Sequence, residues 1–308
     1  MNVLDIIRET SARETTRFSF ELPPLKGDGT RSVFTTIEAL REFDPAFINV
    51  TFHRESIKET LTPDGHIEWH RMRRRPGTVG ISAAIRDRFG IEVVPHLICG
   101  GLSRYDIEDV LALRGDCGPN ERHFMPHPQG HSHAIDLVRQ IAAMNRGEFV
   151  DGEVEECHHS KFSIGVAGYP EKHVDALDAE SDLRHLKAKV DAGADYVMTQ
   201  ICYDADRILA FIGRCREAGI DVPVIPGVKP LSTLRQLTLL PETFAIELPE
   251  ALYSEVRAHA DRPEAIRRIG VEWAVDQCRR LKAAGVPVIH FYTMGRAENV
   301  RQIIKEVF

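Results

Sequence analysis

The six cysteines, at positions 99, 117, 157, 202, 215 and 278, include no CxxC pair. A disulfide framework or a paired-cysteine metal site is thereby excluded as an organising feature, and reduced thiols in a cytoplasmic protein are expected. No stretch approaches the ~20 apolar residues of a membrane-crossing helix. The N-terminal MNVLDIIRETSARETTR interleaves acids and bases and lacks the apolar core of a signal peptide. Its Val3, Leu4, Ile6 and Ile7 suit one face of a short helix. Positive charge is also short. The 39 Lys and Arg face 46 Asp and Glu, a net charge of −7, which argues against a nucleic-acid partner. The one basic run, RMRRR at 71–75, reads as the solvated entrance of a helix.

Familiar catalytic signatures are missing as well. There is no HExxH, no zinc-type Cys/His spacing and no GxSxG elbow. Neither GxGxxG nor GxxxxGK[ST] occurs, which weakens a doubly wound nucleotide-binding sheet. His123, His127, His131 and His133, with Cys157, His158 and His159, lie in Pro- and Gly-containing sequence without a recognised ligand spacing. They read as solvated loop histidines, and no metal is expected. Repeats, low-complexity tracts and a linker to a second domain are absent too.

What remains is ordinary globular composition, 43% hydrophobic and 28% charged, with a recurring pattern. Strand-like runs fall at 17–22 (RFSFEL), 46–52 (AFINVTF), 92–99 (EVVPHLIC), 110–115 (VLALRG), 162–169 (FSIGVAGY), 196–202 (YVMTQIC), 223–228 (PVIPGV) and 287–293 (PVIHFYT). Most are continuous apolar runs, as in parallel strands covered on both faces. Helical patterns such as 182–192, 204–217 and 264–284 lie between them. Eight strands in βα alternation over 308 residues predict a single (β/α)8, or TIM, barrel spanning 1–308. One crossover is reduced: only GGLSRYDIED, 100–109, joins strands three and four, too little for a helix and its two loops.

Barrel enzymes carry their reactive groups where the strands end. Here those positions hold Glu21, Thr51-Phe52-His53, Arg114-Gly115-Asp116, Tyr169 with His173 beyond, Gln200, and Tyr292-Thr293 with Arg296 behind, while His96 lies in strand three. Lys229, after VIPGV, is the only candidate for a strand-end lysine. The set offers two carboxylates, aromatics, amides and arginines without a strong nucleophile. It suits binding a planar heteroaromatic ligand and moving a proton, with a cofactor supplying the harder chemistry. A barrel aldolase or metal-dependent hydrolase would need a Schiff-base lysine or a metal cluster, and a non-catalytic binding barrel is the other alternative.

FSFE…PP, VTF, PHL, ALRGD, GYPEKH, KxKxDAGAD…TQ, IPGxxP and HFYTM, in this order from residue 17 onward, resemble methylenetetrahydrofolate reductase. The resemblance implies a (β/α)8 barrel that binds FAD. It implies reduction of 5,10-methylenetetrahydrofolate to 5-methyltetrahydrofolate with NADH or NADPH, which reduces the flavin and leaves before the folate takes its place. Glu21 matches the general acid that opens the five-membered ring of the folate. Asp116 matches the acid that contacts the pterin and influences the flavin. Flavin-cradle positions correspond to Thr51, Phe52, His96, Arg114, Gly115 and Asp116, then Ala134, Tyr169, His173, Ala176, Asp182, His185 and Lys189. Folate or nicotinamide contacts correspond to Gln200, Gln236, Tyr292 and Arg296. Self-association is implied as well. Several positions depart from the pattern: FELPP is one residue shorter than the common FEFFPP, a basic residue of the flavin segment is Ala188, and a substrate-covering aromatic falls at Leu240. The chain stops at Phe308, after the barrel, so the S-adenosylmethionine-sensing domain of eukaryotic members is not expected.

Overall fold

The computed structural model describes residues 2–24, 30–52, 56–72, 77–99, 111–113, 128–149 and 160–308. The chain runs through α1 (Val3–Ala12), β1 (Arg17–Leu22), α2 (Arg31–Leu40), β2 (Ile48–Val50), a hairpin of β3 (Ser56–Leu61) and β4 (Ile67–Met72), α3 (Thr78–Phe89), β5 (Val93–Ile98) and β6 (Leu111–Leu113). It continues through α4 (Ala134–Met144), β7 (Gly165–Gly168), α5 (Ala179–Asp191), β8 (Tyr196–Ile201), α6 (Ala205–Glu217) and β9 (Val224–Val228). The helices α7 (Gln236–Phe244), α8 (Glu250–Ala258) and α9 (Pro263–Ala283) precede β10 (Val288–Tyr292), and α10 (Glu298–Val307) ends it.

Eight strands pair in parallel in the order β6-β5-β2-β1-β10-β9-β8-β7, and the end strands β6 and β7 approach one another. This is the expected α/β barrel. The strands alternate sides along their length. Phe18, Phe20 and Leu22 of β1 turn outward into a cluster with Val33, Ile37 and Leu40 of α2 and Ile303 of α10. Phe18, Phe20 and Phe291 are almost completely buried, each stabilising the wall by about 1.5–3 kcal/mol. The intervening Ser19 and Glu21 face the barrel interior.

The predicted N-terminal helix is present. Asn2 caps it, its side chain accepting from the Asp5 amide at 2.9 Å while the Asp5 carboxylate accepts from the Asn2 amide at 3.3 Å, a reciprocal capping box. Val3, Ile6 and Ile7 share a buried cluster with Phe47, Tyr196, Val224 and Val288, which stand at or just before the N-terminal ends of their strands. The helix therefore closes the barrel end opposite the mouth.

β5 ends at Ile98 and β6 starts at Leu111, so the third crossover is confined to residues 99–110, and 100–110 lie outside the described residues. The segment 56–72 corrects the sequence reading. Arg71 and Met72 close β4 of an antiparallel hairpin and do not open a helix; Arg73, Arg74 and Arg75 lie outside the described residues. The signal was present in Thr62-Pro63-Asp64-Gly65. Its turn is closed by Gly65 N donating to Thr62 O at 2.9 Å, with Gly65 at φ +84°, a conformation glycine adopts freely. Among the described residues no helix is long and apolar enough to cross a membrane.

Candidate active site

Glu21 stands near the end of β1, paired in register with Tyr292 on one side and Asn49 on the other. Pro23, lacking an N–H, helps end the strand. The Thr293 hydroxyl donates to Glu21 O at 2.6 Å, and the Thr51 amide donates to Leu22 O at 3.1 Å. These bonds fix the backbone that carries the acid. Glu21 is only 7% exposed. Burial raises its pKa to about 7, against the opposing pull of the Lys229 ammonium. Desolvation therefore outweighs the nearby positive charge.

Tyr292 leans across β9 and donates its hydroxyl to Thr199 O at 2.7 Å. Gly227 makes that reach possible, since a Cβ there would lie 2.4 Å from the Tyr292 ring and 2.6 Å from Thr199 O. Burial, and then the charge of Glu21, holds the phenol well above its usual pKa, so it stays protonated. Below the acid lies a polar floor. Ser19 Oγ and His290 Nδ1 are 2.9 Å apart, and Asn49 Nδ2 and His96 Nε2 are also 2.9 Å apart. Among the described residues, Asn49 Oδ1 and His290 Nε2 are buried without a hydrogen-bond partner. Burial, with His96 nearby, lowers the His290 pKa to about 3, so the imidazole is neutral at neutral pH.

The opposite wall is built by β7 and α5. The rings of Tyr169 and His173 meet edge to face with centroids 4.7 Å apart. The His173 amide donates to Asp182 Oδ2 at 3.0 Å, and the Ala176 amide donates to His173 O at 3.0 Å. Asp182, His185 and Lys189, spaced three and four apart, share one face of α5. Lys189 Nζ donates to Ala167 O at 2.7 Å. Its burial lowers its pKa to about 8, with Asp182 opposing, so it remains mostly cationic at pH 7.

The other predicted positions are placed unevenly. Thr51 and Phe52 follow β2 half-buried, and Ala134 is the first residue of α4. The Gln200 side chain accepts from the Ile201 amide at 2.8 Å. Gln236 Oε1 accepts from the amides of Ser232 and Thr233 at 2.7 and 3.2 Å, which fixes the entrance of α7. Arg296 is exposed beyond β10. Leu240, where the resemblance places an aromatic in some members, is a residue of α7 buried in the core. His53, Arg114, Gly115, Asp116, His123 and His127 lie outside the described residues. His131 Nε2 lies 2.5 Å from Gln140 Oε1, and His133 Nδ1 lies 3.8 Å from the Asp136 carboxylate.

Sequence reading missed Ser19, Asn49 and His290, although each is a polar residue set between two apolar neighbours of its strand. It considered Lys229 only as a Schiff-base candidate and did not foresee that this lysine stands near Glu21.

The family profile described as methylenetetrahydrofolate reductase matches residues 6–307. The chain belongs to the methylenetetrahydrofolate reductase family. It is 30% identical to 5,10-methylenetetrahydrofolate reductase of Escherichia coli, over 91% of this chain and 86% of that protein. It is also 30% identical to methylenetetrahydrofolate reductase (NADH) 1 of Arabidopsis thaliana, over 96% of this chain and 48% of the plant protein. The chain thus spans about half the length of the plant and fission-yeast relatives it matches. An uncharacterized protein from Clostridium thermocellum, solved with two copies of 5-methyl-5,6,7,8-tetrahydrofolic acid, aligns over 98% of both chains with a TM-score of 0.56 at 12% identity. That likeness is one of fold. At the Glu21 end of the mouth the barrel gathers an acid with a pKa of about 7, a buried lysine and a protonated phenol.

Proposed function

We propose that the protein reduces 5,10-methylenetetrahydrofolate to 5-methyltetrahydrofolate, with FAD as its cofactor and NADH or NADPH as electron donor. The observation that carries this reading is Glu21, a buried acid at a strand end whose pKa of about 7 leaves it substantially protonated at neutral pH, in a chain of this family.

The β7–α5 wall and the end of β2 together fit a flavin in the chemistry of their groups. Tyr169 and Phe52 offer aromatic surface to a planar ring, Thr51 a hydroxyl, and Lys189 a cation for an anionic phosphate or ring oxygen. His173 and Asp182 fix the loop that carries Tyr169. When bound, the flavin supplies the hydride. The proton is the work of Glu21. As its O–H bond breaks and an N–H bond forms on a ring nitrogen of the folate, the five-membered ring opens and leaves an iminium cation on the methylene carbon. The carboxylate of Asp116 stabilises that cation. Tyr292, its hydroxyl held by Thr199, bounds the space beside the acid.

Reconstitution with FAD tests the reading. The expected result is a yellow protein that NADH bleaches without oxygen and methylenetetrahydrofolate reoxidises. Protein that takes up no flavin, or reduced flavin that ignores the folate, would sink it.

A further inference from the structure

Lys229 directly follows β9 and is 6% exposed. Val228 pairs with Phe291, and Glu21 pairs with Tyr292. Glu21, Tyr292 and Lys229 therefore lie abreast on three neighbouring strands. Their predecessors Phe20, Phe291 and Val228 all turn outward into one apolar cluster, so the three successors face the barrel interior. Among the described residues, Glu21 and Lys229 share neither an ion pair nor a hydrogen bond, and they act on each other through space. Tyr292 stands between them, but its proton is directed away to Thr199 O.

We propose that Lys229 is a positioning residue for proton donation, its ammonium stabilising the carboxylate that Glu21 becomes when its proton leaves. A cation attracts the carboxylate far more than the neutral acid, so its effect grows along the reaction, as useful stabilisation must. The ammonium is not so dominant that it keeps Glu21 ionised, because burial acts the other way. Among the described residues, the other titratable groups in this network are the phenols of Tyr292 and Tyr169, the neutral His290 with His96 beneath, and the exposed Arg296, whose positive charge repels that of Lys229. Asn49 and Thr51 of the β2 side carry no charge. The catalytic consequence rests on the role of Glu21 proposed above; the electrostatic coupling does not.

Carbon NMR of protein labelled with 13C at the glutamate carboxyl tests this, with the Glu21 signal identified by its loss in Glu21→Gln. In the wild type its midpoint is expected near pH 7. In Lys229→Met the midpoint moves to higher pH, the acid dissociation constant falling about tenfold, and Lys229→Arg restores it. If the Met variant does not fold, Lys229→Gln provides the same comparison. A midpoint that stays in place or falls, or an Arg variant that titrates like the uncharged ones, overturns the proposal. In the folate half-reaction the alkaline limb of Lys229→Met is displaced to higher pH with a lower plateau. Should the NMR midpoint move while the wild type never reduces methylenetetrahydrofolate, the coupling stands and the proposed function fails.

Discussion

Glu21 owes its chemistry to its position on a strand. Alternation turns Phe20 and Leu22 outward and the carboxyl inward, where burial favours the protonated acid. Glu21→Gln keeps the shape and removes the proton. Flavin uptake and bleaching by NADH are expected to persist, since neither needs that proton, while the folate half-reaction falls by ~10²-fold or more. Stopped-flow measurement of the two half-reactions separates them; a variant slowed in flavin reduction but not in folate turnover would remove Glu21 from its role. Gly227→Ala probes the other side of the acid. The added Cβ meets the Tyr292 ring and Thr199 O, so the Tyr292–Thr199 bond must break or the strand must shift. A loss of about 1–3 kcal/mol is expected, read as a lower urea midpoint. The acid itself was legible as one carboxylate in an apolar run. Its partners were not, because Lys229 and Tyr292 reach it only through the β1–β10–β9 order, which no local pattern encodes.

Among the elements, the strands were the most legible. Continuous apolar runs bounded by proline or glycine mark parallel strands covered on both faces, and β1 spans Arg17–Leu22 as predicted. β2 is shorter, Ile48–Val50, and its pairing with β1 closes with the Thr51 amide donating to Leu22 O. The β3–β4 hairpin escaped notice because its strands mix apolar and charged residues and lie in a separate two-stranded sheet. Helix α9 shows how packing overrides propensity. A Cβ at Gly270 would lie 1.9 Å from Leu231 O, so the glycine lets the helix press on the loop that begins at Lys229. Alanine would favour the isolated helix by about 1 kcal/mol, yet the overlap with backbone is expected to cost more. Gly270→Ala should lower the urea midpoint, by about 1–3 kcal/mol net; a raised midpoint would show that α9 does not pack this closely.

For the whole molecule, the buried groups at the mouth couple stability to pH in opposite directions. Glu21 has a folded pKa of about 7 against an ordinary 4.5, so between those values the folded state holds a proton that the unfolded chain has released. Its contribution is fully present below about 4.5 and is lost as pH rises through 7. His290 is the reverse. Its pKa falls from 6.5 to about 3, so the unfolded chain binds the extra proton and stability declines as pH falls through that window. Between about 4.5 and 6.5 the two offset each other, and below 4.5 His290 is no longer opposed by Glu21. Glu171 and Asp195, also raised by burial, add to the Glu21 side. Replacing Glu21 with Gln removes one partner of this balance. The variant should gain on the wild type as pH rises from 4.5 to 7, by up to about 1.4 kcal/mol per pH unit. Its acid destabilisation should begin nearer pH 6.5. Thermal melts of both proteins from pH 4 to 8 measure the difference. A constant offset across that range would mean that Glu21 titrates as an ordinary carboxyl, and the acid at the end of β1 would then be too ionised at neutral pH to serve as a proton donor.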